Sequence, residues 1–297
     1  MAIKTTSNFH SKNKHKSGYD FNLLCNAYPK LEPFVFENAH KTITIDFANP
    51  KAVKALNTAL LFAHYNIKFW KFPDANLCPP IPGRVDYIHH IADLLKSTNT
   101  ENQQVLDIGT GASCVYPLLG HAEYGWHFVG TDIDENSLHF AQENINKNRL
   151  EKFITLRHQT DASKILNGVI NEADMFGASI CNPPFYKSEQ EALEATARKI
   201  KGLNKESDKI VRNFAGTQNE LWYQGGEKAF LHNYLYESSL YKNQCFWFTS
   251  LVSNKDLVKG MNDSLKKLGA TDIKTINMGH GNKISRIVAW TFLSKTK

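Results

Sequence analysis

The sequence predicts an α/β fold centred on a doubly wound, mostly parallel sheet. Apolar runs of strand length alternate with helical stretches from about residue 103 onward, the order typical of βαβ units. One helical stretch, residues 135–148, places Leu138, Ala141 and Ile145 on a single face. The four strand-like runs before residue 182 are Val105–Gly109, Trp126–Gly130, Phe153–Leu156 and Phe176–Cys181.

The end of the chain predicts an antiparallel addition to this sheet. A strand at Cys245–Phe248 and a helix at residues 255–268 continue the alternation. Two further strand-like runs, Asp272–Met278 and Ile284–Leu293, lie close enough in sequence to form an antiparallel pair. The predicted fold class is therefore a Rossmann-like sheet that finishes with an antiparallel strand pair.

The residues before this sheet predict an N-terminal α/β extension. Helical patterns near residues 50–65 and 85–96 are separated by the proline-rich stretch 79–83, which predicts a rigid loop without regular structure. The predicted domains are a basic flexible arm at 1–19, the extension at 20–97 and the sheet domain at 98–297. The polar stretch 185–226 is long for a connection, and loops of that size are usually functional or disordered.

Composition indicates a globular protein of the reducing cytoplasm. The 297 residues are 42% hydrophobic and 22% charged, which argues against a wholly disordered chain. No run approaches the ~18 apolar residues of a membrane span, and the N-terminus lacks the apolar stretch of a secretory signal. Five widely spaced cysteines without a C-x-x-C pair indicate reduced thiols and no zinc site: Cys25, Cys78, Cys114, Cys181 and Cys245.

Positive charge is concentrated at the N-terminus. The net charge is +6, and four lysines precede the first acidic residue, Asp20. We predict that Lys12, Lys14 and Lys16 contact the phosphates of a nucleic acid from a mobile arm that becomes ordered on contact. The alternative is a solvated tail that only aids solubility.

A glycine-containing turn after the first strand predicts a nucleotide-like cofactor. In Asp107–Gly111 the two glycines, Gly109 and Gly111, allow a tight turn and close approach of the backbone to a ligand. Cys114 occupies the position where a dinucleotide fingerprint has its third glycine, which argues against NAD. Asp132, after the second strand, is placed to accept both hydroxyls of a ribose, although it is also a candidate helix N-cap. This pattern favours an adenosyl ligand without phosphates, such as S-adenosylmethionine.

The tetrapeptide Asn182-Pro183-Pro184-Phe185, directly after the fourth strand, is the most specific motif in the sequence. Methyl transfer to an exocyclic amine needs alignment more than acid or base, because the cofactor carries the difficult chemistry. The Asn182 side-chain oxygen and the Pro183 carbonyl can accept hydrogen bonds from the amino group, and consecutive prolines hold that carbonyl rigid. Phe185 offers a face for stacking of the target base. The alternative is a proline-rich turn with Phe185 in the core.

Several segments together resemble the RlmF-type family of 23S ribosomal RNA adenine-N6 methyltransferases, relatives of the eukaryotic U6 small nuclear RNA adenine methyltransferase. The resemblance covers nearly the whole chain. Its strongest block is residues 107–120, with Gly-Ala-Ser-Cys-Val-Tyr-Pro-Leu-Leu-Gly. The other matching segments are Tyr19–Phe21, Leu77–Arg84, Tyr87–His89, Cys181–Phe185, Gly225–Glu227 and Ser285–Trp290.

The resemblance implies a class I methyltransferase that uses S-adenosylmethionine to form N6-methyladenosine in ribosomal RNA. It implies that Arg84 contacts the carboxylate of the cofactor's methionine part, a role that suits a guanidinium fork. It also implies a ribose role for Asp132, a role for Asn182 in both cofactor and substrate binding, and an adenine site near Thr160 and Asp161. An isolated surface ion pair is the alternative for Arg84.

Other functions fit parts of the same pattern. An enzyme with this tetrapeptide can act on guanine N2 in RNA, adenine in DNA or a glutamine side chain, although the glutamine enzymes usually carry tyrosine where this chain has Phe185. A non-catalytic RNA-binding assembly factor on the same fold is a second alternative, and a nicotinamide oxidoreductase is a third. Retention of Gly109, Asp132 and the whole tetrapeptide favours an active methyltransferase.

Overall fold

A seven-stranded sheet forms the centre of the computed structural model, which describes residues 9–74, 76–98, 101–188, 190, 191, 194, 221–280 and 283–294. The strand order is β5-β4-β3-β6-β7-β9-β8. Strands β3 to β7 pair in parallel, whereas β9 pairs antiparallel with both β7 and β8. The seven strands are β3 (Gln104–Ile108), β4 (His127–Asp132), β5 (Ile154–His158), β6 (Phe176–Cys181), β7 (Cys245–Val252), β8 (Asp272–His280) and β9 (Lys283–Thr291).

Helices cover both faces of the sheet and bury two apolar clusters. One face carries α3 (Ile81–Ser97), α4 (Val115–Tyr124) and α5 (Glu135–Lys147). The opposite face carries α6 (Gly226–Leu240) and α7 (Lys255–Leu268). The predicted doubly wound fold with a final antiparallel pair is therefore confirmed.

The N-terminal extension packs onto the face that carries α3. It contains α1 (Phe21–Ala27), a short 3-10 helix (Pro29–Phe34), the hairpin β1 (Val35–Glu37) with β2 (Ile43–Ile45), and α2 (Pro50–His64). Its apolar residues belong to the same buried cluster as residues of the central strands. The extension and the sheet therefore share one continuous core.

Polar side chains define where several helices begin. The Asp134 carboxylate accepts hydrogen bonds from the amides of Asn136 and Ser137 at the start of α5, and Asn49 caps α2 in the same way. Helix α7 starts at the cap Asn254 and ends at Gly269, which has a φ of 89°. These short-range signals explain why the bounds predicted for α2, α5 and α7 lie close to those observed.

The prediction of an irregular loop through residue 83 is wrong for its second half. Helix α3 already begins at Ile81, and Pro82 lies in its first turn, where a missing amide hydrogen costs no helical bond. The cap residue Pro80 has no side chain that can bind the free amides. Asn57 of α2 takes this role, because its side-chain oxygen accepts the Ile81 amide at 2.8 Å.

The prediction of a flexible arm at 1–19 is wrong for residues 9–19, while residues 1–8 lie outside the described part. Asn13 and His15 are 1% and 4% exposed. The Asn13 amide group donates to the Pro82 carbonyl and to the Asp86 carboxylate, both at 2.9 Å, and the His15 ring is 2.7 Å from the Tyr65 hydroxyl. Polar contacts fix this segment, and a search for apolar periodicity does not detect them.

The stretch 185–226, predicted as one long polar loop, is only partly described. Tyr186 forms an isolated parallel bridge with Trp222, and α6 begins at Gly226.

No helix in the described ranges is long and apolar enough to cross a membrane.

Candidate functional site

A cleft of about 510 Å³ opens at the carboxyl ends of β3, β4 and β6. In doubly wound sheets this edge is where ligands bind, because the loops that follow the strands diverge there. The walls come from the turn after β3, the end of β4, the start of α3 and the tetrapeptide after β6. Most of the residues predicted to bind the cofactor are therefore brought together: Arg84, Gly109, Gly111, Asp132 and Asn182 line the cleft.

The turn after β3 has the backbone conformation that its glycines predict. Gly109 and Gly111 have φ values of 72° and 62°, and Cys114 has a φ of 51° immediately before α4. The amides of Gly109 and Thr110 both donate to the Thr131 carbonyl at 2.9 Å. The turn is thus fastened to the end of β4, and nothing lies within 4 Å of a Cβ built on Gly109.

Asp132 is fixed by backbone amides on two sides. One carboxylate oxygen accepts the Gly111 amide at 2.8 Å, and the other accepts the Asp134 amide at 3.0 Å. Each carboxylate oxygen has a second lone pair, so these bonds leave acceptor capacity towards the cleft. Burial raises the pKa of Asp132 above its ordinary value. Because Asp134 caps α5, Asp132 is not the helix cap that was considered as its alternative role.

Asp107 lies behind this wall and is 0% exposed. Neither of its carboxylate oxygens has a hydrogen-bond partner among the described residues. Burial, together with the neighbouring charge of Asp132, raises the pKa of Asp107 to about 7. A buried carboxyl group without partners is costly, and such groups concentrate at binding sites.

Arg84 projects from the first turns of α3 into the cleft. Its Nη1 donates to the Tyr116 hydroxyl at 2.7 Å, and the guanidinium lies 5.4 Å from the centre of that ring. Its Nε is buried and has no partner within the described part of the chain. Arg84 forms no ion pair with a described acidic residue, so it is not the surface ion pair considered as the alternative.

The tetrapeptide leaves the end of β6 along the cleft wall. Asn182 and Pro184 line the cleft, Pro183 is buried, and Phe185 is 43% exposed. The amides of Phe185 and Tyr186 donate to the Leu221 carbonyl at 3.1 and 3.0 Å, which ties the tetrapeptide to the segment before α6. An exposed Phe185 is not the core residue of the alternative interpretation.

The structure differs from the predicted site in two ways: one predicted residue lies outside the cleft, and several lining residues were not predicted. Asp161 is exposed and does not line the cleft, because its carboxylate accepts the amide and hydroxyl of Ser163 in a local turn. Sequence reasoning missed Tyr116, although it lies in the motif block 107–120, and it missed Gln159, Ile165, Trp222 and Tyr223, for which no local motif exists. The described residues contain no group of three or more His, Cys, Asp or Glu side chains that could hold a metal.

The lysines of the N-terminal segment already have intramolecular contacts. Lys14 forms an ion pair with Glu123 and lies 4.9 Å from the centre of the Tyr65 ring. The Lys12 ammonium lies 5.5 Å from the Tyr124 ring centre, and the Lys16 ammonium donates to the Ser11 carbonyl at 2.8 Å. These contacts place Lys12, Lys14 and Lys16 on an ordered segment and not on a mobile arm, whereas their contact with RNA stays a prediction.

Comparisons with known proteins point to one family. Residues 3–294 match the sequence model of a family described as RNA methyltransferase. The ribosomal RNA large subunit methyltransferase F of Colwellia psychrerythraea is 49% identical over 297 residues, which cover 95% of this chain and 98% of the relative. The protein of the same name from Flavobacterium psychrophilum is 48% identical, with 99% and 96% covered.

Solved structures give the same result. The catalytic domain of hMettl16 in complex with MAT2A 3′UTR hairpin 1 has a TM-score of 0.82 and 27% identity, with 97% of each chain covered. The N-terminal domain of human METTL16 in complex with SAH has a TM-score of 0.76 and 25% identity, with 96% of this chain and 99% of that chain covered.

Proposed function

The chain belongs to this RNA methyltransferase family, and we propose that it methylates the N6 amino group of a specific adenine in 23S ribosomal RNA. S-adenosylmethionine is the methyl donor, and RNA is the substrate. The observation that carries the proposal is the position of Asn182 and Pro184 in the wall of the same cleft as Gly109, Gly111 and Asp132. The large ribosomal subunit is proposed from the names of the relatives, and a cytoplasmic location follows from that substrate.

The polar groups of the cleft fit S-adenosylmethionine. Arg84, with its unpartnered buried Nε, suits the carboxylate of the methionine part. Asp107 does not line the cleft, but its unpartnered carboxylate interacts electrostatically with Arg84 and Asp132, so its negative charge favours the ammonium group of the same part. Asp132 retains acceptor capacity for ribose hydroxyls, and the Gly109 turn leaves room for close approach of the ligand. For the adenine ring, the lining residues Gln159 and Ile165 replace Asp161, whose side chain does not line the cleft.

S-adenosylmethionine supplies a methyl group already activated by its sulfonium. The residues of the chain therefore have to hold and align the amino group, as the tetrapeptide does in our proposal. The Asn182 side-chain oxygen and the rigid Pro183 carbonyl accept hydrogen bonds from its two N–H groups, which directs the nitrogen lone pair away from them, and the extra proton of the methylated nitrogen is then lost to water. Phe185, with its half-exposed ring, stacks on the target base. We also propose that residues 98–297 carry the catalysis, that 20–97 support the site, and that Lys12, Lys14 and Lys16 add RNA contacts.

The test is to locate the modified nucleoside. The protein is incubated with isotope-labelled S-adenosylmethionine and RNA from a strain that lacks the gene, and the RNA is then digested and mapped. We expect label in N6-methyladenosine at one position of 23S RNA. The matched control is Asn182→Ala, which should retain much of its cofactor affinity and lose nearly all transfer, because its main interaction forms in the transition state. Label in N2-methylguanosine, or full turnover by Asn182→Ala, contradicts the proposal.

A further inference from the structure

A second groove in the N-terminal extension is outside the cofactor cleft and has no role in the chemistry above. It has a volume of about 510 Å³ and lies between the 3-10 helix, α2 and the segment that follows α2. Five of its thirteen lining residues are lysines and one, Asp74, is acidic. We call it the lysine groove; its lysines are Lys30, Lys51, Lys54, Lys68 and Lys71.

Two of the five lysines of the groove pair with acidic side chains, and the other three form no ion pair with a described residue. The Lys54 ammonium donates to the Phe72 carbonyl and to the Asp74 carboxylate, both at 2.8 Å, so these two opposite charges compensate each other. Lys71 is 3.9 Å from Glu143 at the rim. Lys30, Lys51 and Lys68 are exposed and form no ion pair with any described residue. The groove therefore presents an uncompensated positive charge.

Aromatic side chains lie between these lysines. Tyr28, Phe34, Phe62 and Phe69 line the groove and are half-buried, and Trp70 forms part of its floor. Tyr28 and Phe62 meet edge to face, with ring centres 5.4 Å apart. Cations that follow a phosphate backbone, together with aromatic faces on which bases stack, are the two features of sequence-tolerant single-strand binding. An acidic protein segment would use the cations but not the half-buried rings.

The groove and the cofactor cleft share a wall. The Trp70 indole nitrogen donates to the Ser113 carbonyl at 2.8 Å, and Ser113 lines the cleft. The chain itself passes from one to the other, since Asp74 lines the groove and Leu77 lines the cleft. Three residues span at most about 11 Å. An RNA strand with its target base in the cleft therefore reaches the groove within a few nucleotides.

We propose that the lysine groove binds a single-stranded or looped segment of the substrate RNA next to the target nucleotide. This inference rests on the proposed RNA methylation and adds the surface that supplies affinity. Such a surface is needed because unstacking the target base costs a few kcal/mol, and the cleft alone touches little of the RNA. The contacts are to phosphates and ring faces, so the groove adds affinity with little sequence preference.

The test replaces the three free lysines together, as Lys30→Ala, Lys51→Ala and Lys68→Ala in one protein. Binding to a transcript of large-subunit ribosomal RNA is measured at several salt concentrations. Each lost phosphate contact lowers the slope of log affinity against log salt by about 0.7 to 0.9, so the slope should fall by about 2 to 3. Arginine at the same three positions retains the charge and should restore the slope.

Matched controls separate this effect from a general loss of charge. Lys242, Lys259 and Lys267 are exposed and belong to the region of α6 and α7 on the opposite face of the sheet, so their triple alanine variant has the same net charge. Because salt screens charges that lie far from the bound RNA, this control variant should lose little affinity for RNA. If the groove variant and this control have equal salt slopes, the proposal that the lysine groove binds RNA is wrong.

Two further measurements distinguish failure of the proposed RNA binding by the groove from failure of the proposed function. The groove variant should bind S-adenosylmethionine like the wild type and reach the same rate at saturating RNA, with a raised KM for RNA. If the wild type methylates no RNA, the proposed function fails, while the salt slopes still decide whether the groove binds RNA. A lowered maximal rate with unchanged KM assigns these lysines to catalysis and contradicts the groove.

Discussion

At the scale of single residues, the cleft combines groups that are fixed by the protein with groups that are unpartnered. Asp132 has both oxygens oriented by backbone amides, whereas Asp107 and the Arg84 Nε are buried without partners. Pre-oriented acceptors suit neutral hydroxyls, and unpartnered charges suit the charged ends of an amino acid. This contrast in unsatisfied polar groups is the reason that we propose Asp132 for the ribose and Arg84 with Asp107 for the methionine part.

Replacing Asp132 by alanine should weaken cofactor binding without unfolding the protein. Hydrogen bonds to a charged group contribute about 1.5 to 3 kcal/mol, so the Kd for S-adenosylmethionine should rise by roughly one to two orders of magnitude. Calorimetric titration of the folded variant measures this. Asp134→Ala is the control, because it removes the cap of α5 and should lower stability more than cofactor affinity. An unchanged Kd in Asp132→Ala removes this residue from the site.

Asp107 should make the stability of the ligand-free protein depend on pH. Its pKa rises from 3.8 to about 7 on folding, so the unfolded state loses its proton first. The stability that Asp107 contributes is complete below pH 3.8 and disappears as the pH rises through 7, by an amount on the order of 4 kcal/mol. Asp107→Asn should therefore gain stability relative to the wild type between pH 4 and pH 8, as denaturant titrations at both pH values would detect.

The affinity for S-adenosylmethionine should also depend on the protonation of Asp107. If the carboxylate of Asp107 accepts the ammonium of S-adenosylmethionine, the ionised form is favoured in the complex, and binding below pH 7 releases a proton. Affinity then increases as the pH rises towards 7 in the wild type and is flat in Asp107→Asn. Stability curves that stay parallel for the two proteins would show that Asp107 does not titrate in this range.

The residue scale also shows which site residues the sequence could reveal. Gly109 and Asn182 directly follow a strand and Asp132 is the last residue of β4, so the alternation of strands and helices places all three at one edge of the sheet. Trp222 and Tyr223 reach the cleft only because backbone bonds join their segment to the tetrapeptide. No local pattern reports such long-range pairing, and the misplacement of Asp161 has the same origin, since a local turn with Ser163 removes its side chain from the cleft.

At the scale of elements, α3 connects the N-terminal segment to the cofactor site. Its start is held by Asn57 from α2 and by Asn13 from the N-terminal segment, and Arg84 lies one turn into it. Further along α3, the Tyr87 hydroxyl is 2.6 Å from the Thr249 hydroxyl of β7. The helix that carries Arg84 is thus positioned by polar contacts from three other parts of the chain. These contacts involve isolated polar residues, which explains why apolar periodicity located α3 but not its beginning.

Replacing Asn13 by alanine should destabilise the protein although the residue lies in a predicted arm. The side chain is 1% exposed and donates to the Asp86 carboxylate, which is itself 1% exposed. Loss of this bond leaves a buried charge with fewer partners, so we expect a fall of about 2 to 3 kcal/mol in the free energy of unfolding. Lys16→Ala on the same segment is the control, since among the described residues its ammonium binds only the nearby Ser11 carbonyl at the surface. If the two variants unfold at the same temperature, the prediction of a flexible arm would hold for this segment.

At the scale of the whole molecule, the buried core crosses the proposed boundary at residues 97 and 98. One cluster joins Leu24 and Leu60 of the extension to Val105, Ala178 and Trp247 of the sheet. The opposite face is covered by α6 and α7, which come from the sheet domain itself. Helix α3 of the extension therefore covers this face together with α4 and α5 of the sheet domain, although sequence alternation alone separated the extension from the sheet.

The fragment 98–297 should therefore fail to fold cooperatively, although it contains every strand of the central sheet. Helix α3 alone buries five large apolar side chains that are no more than 4% exposed, namely Ile81, Val85, Ile88, Ile91 and Leu94. At about 1.5 to 3 kcal/mol each, their loss is comparable with the total stability of a typical domain, roughly 5 to 15 kcal/mol.

Calorimetry of the full chain and of the fragment tests this integration. The full chain should unfold in one transition whose calorimetric and van't Hoff enthalpies agree, and S-adenosylmethionine should shift that transition upwards as a whole. The fragment should show no cooperative transition and no shift with the cofactor, because it also lacks Arg84. The fragment 20–297 retains α2 and α3 but lacks Asn13. It should unfold cooperatively at a lower temperature than the full chain. Two separate transitions in the full chain, or a folded 98–297 fragment, would make the extension an independent domain.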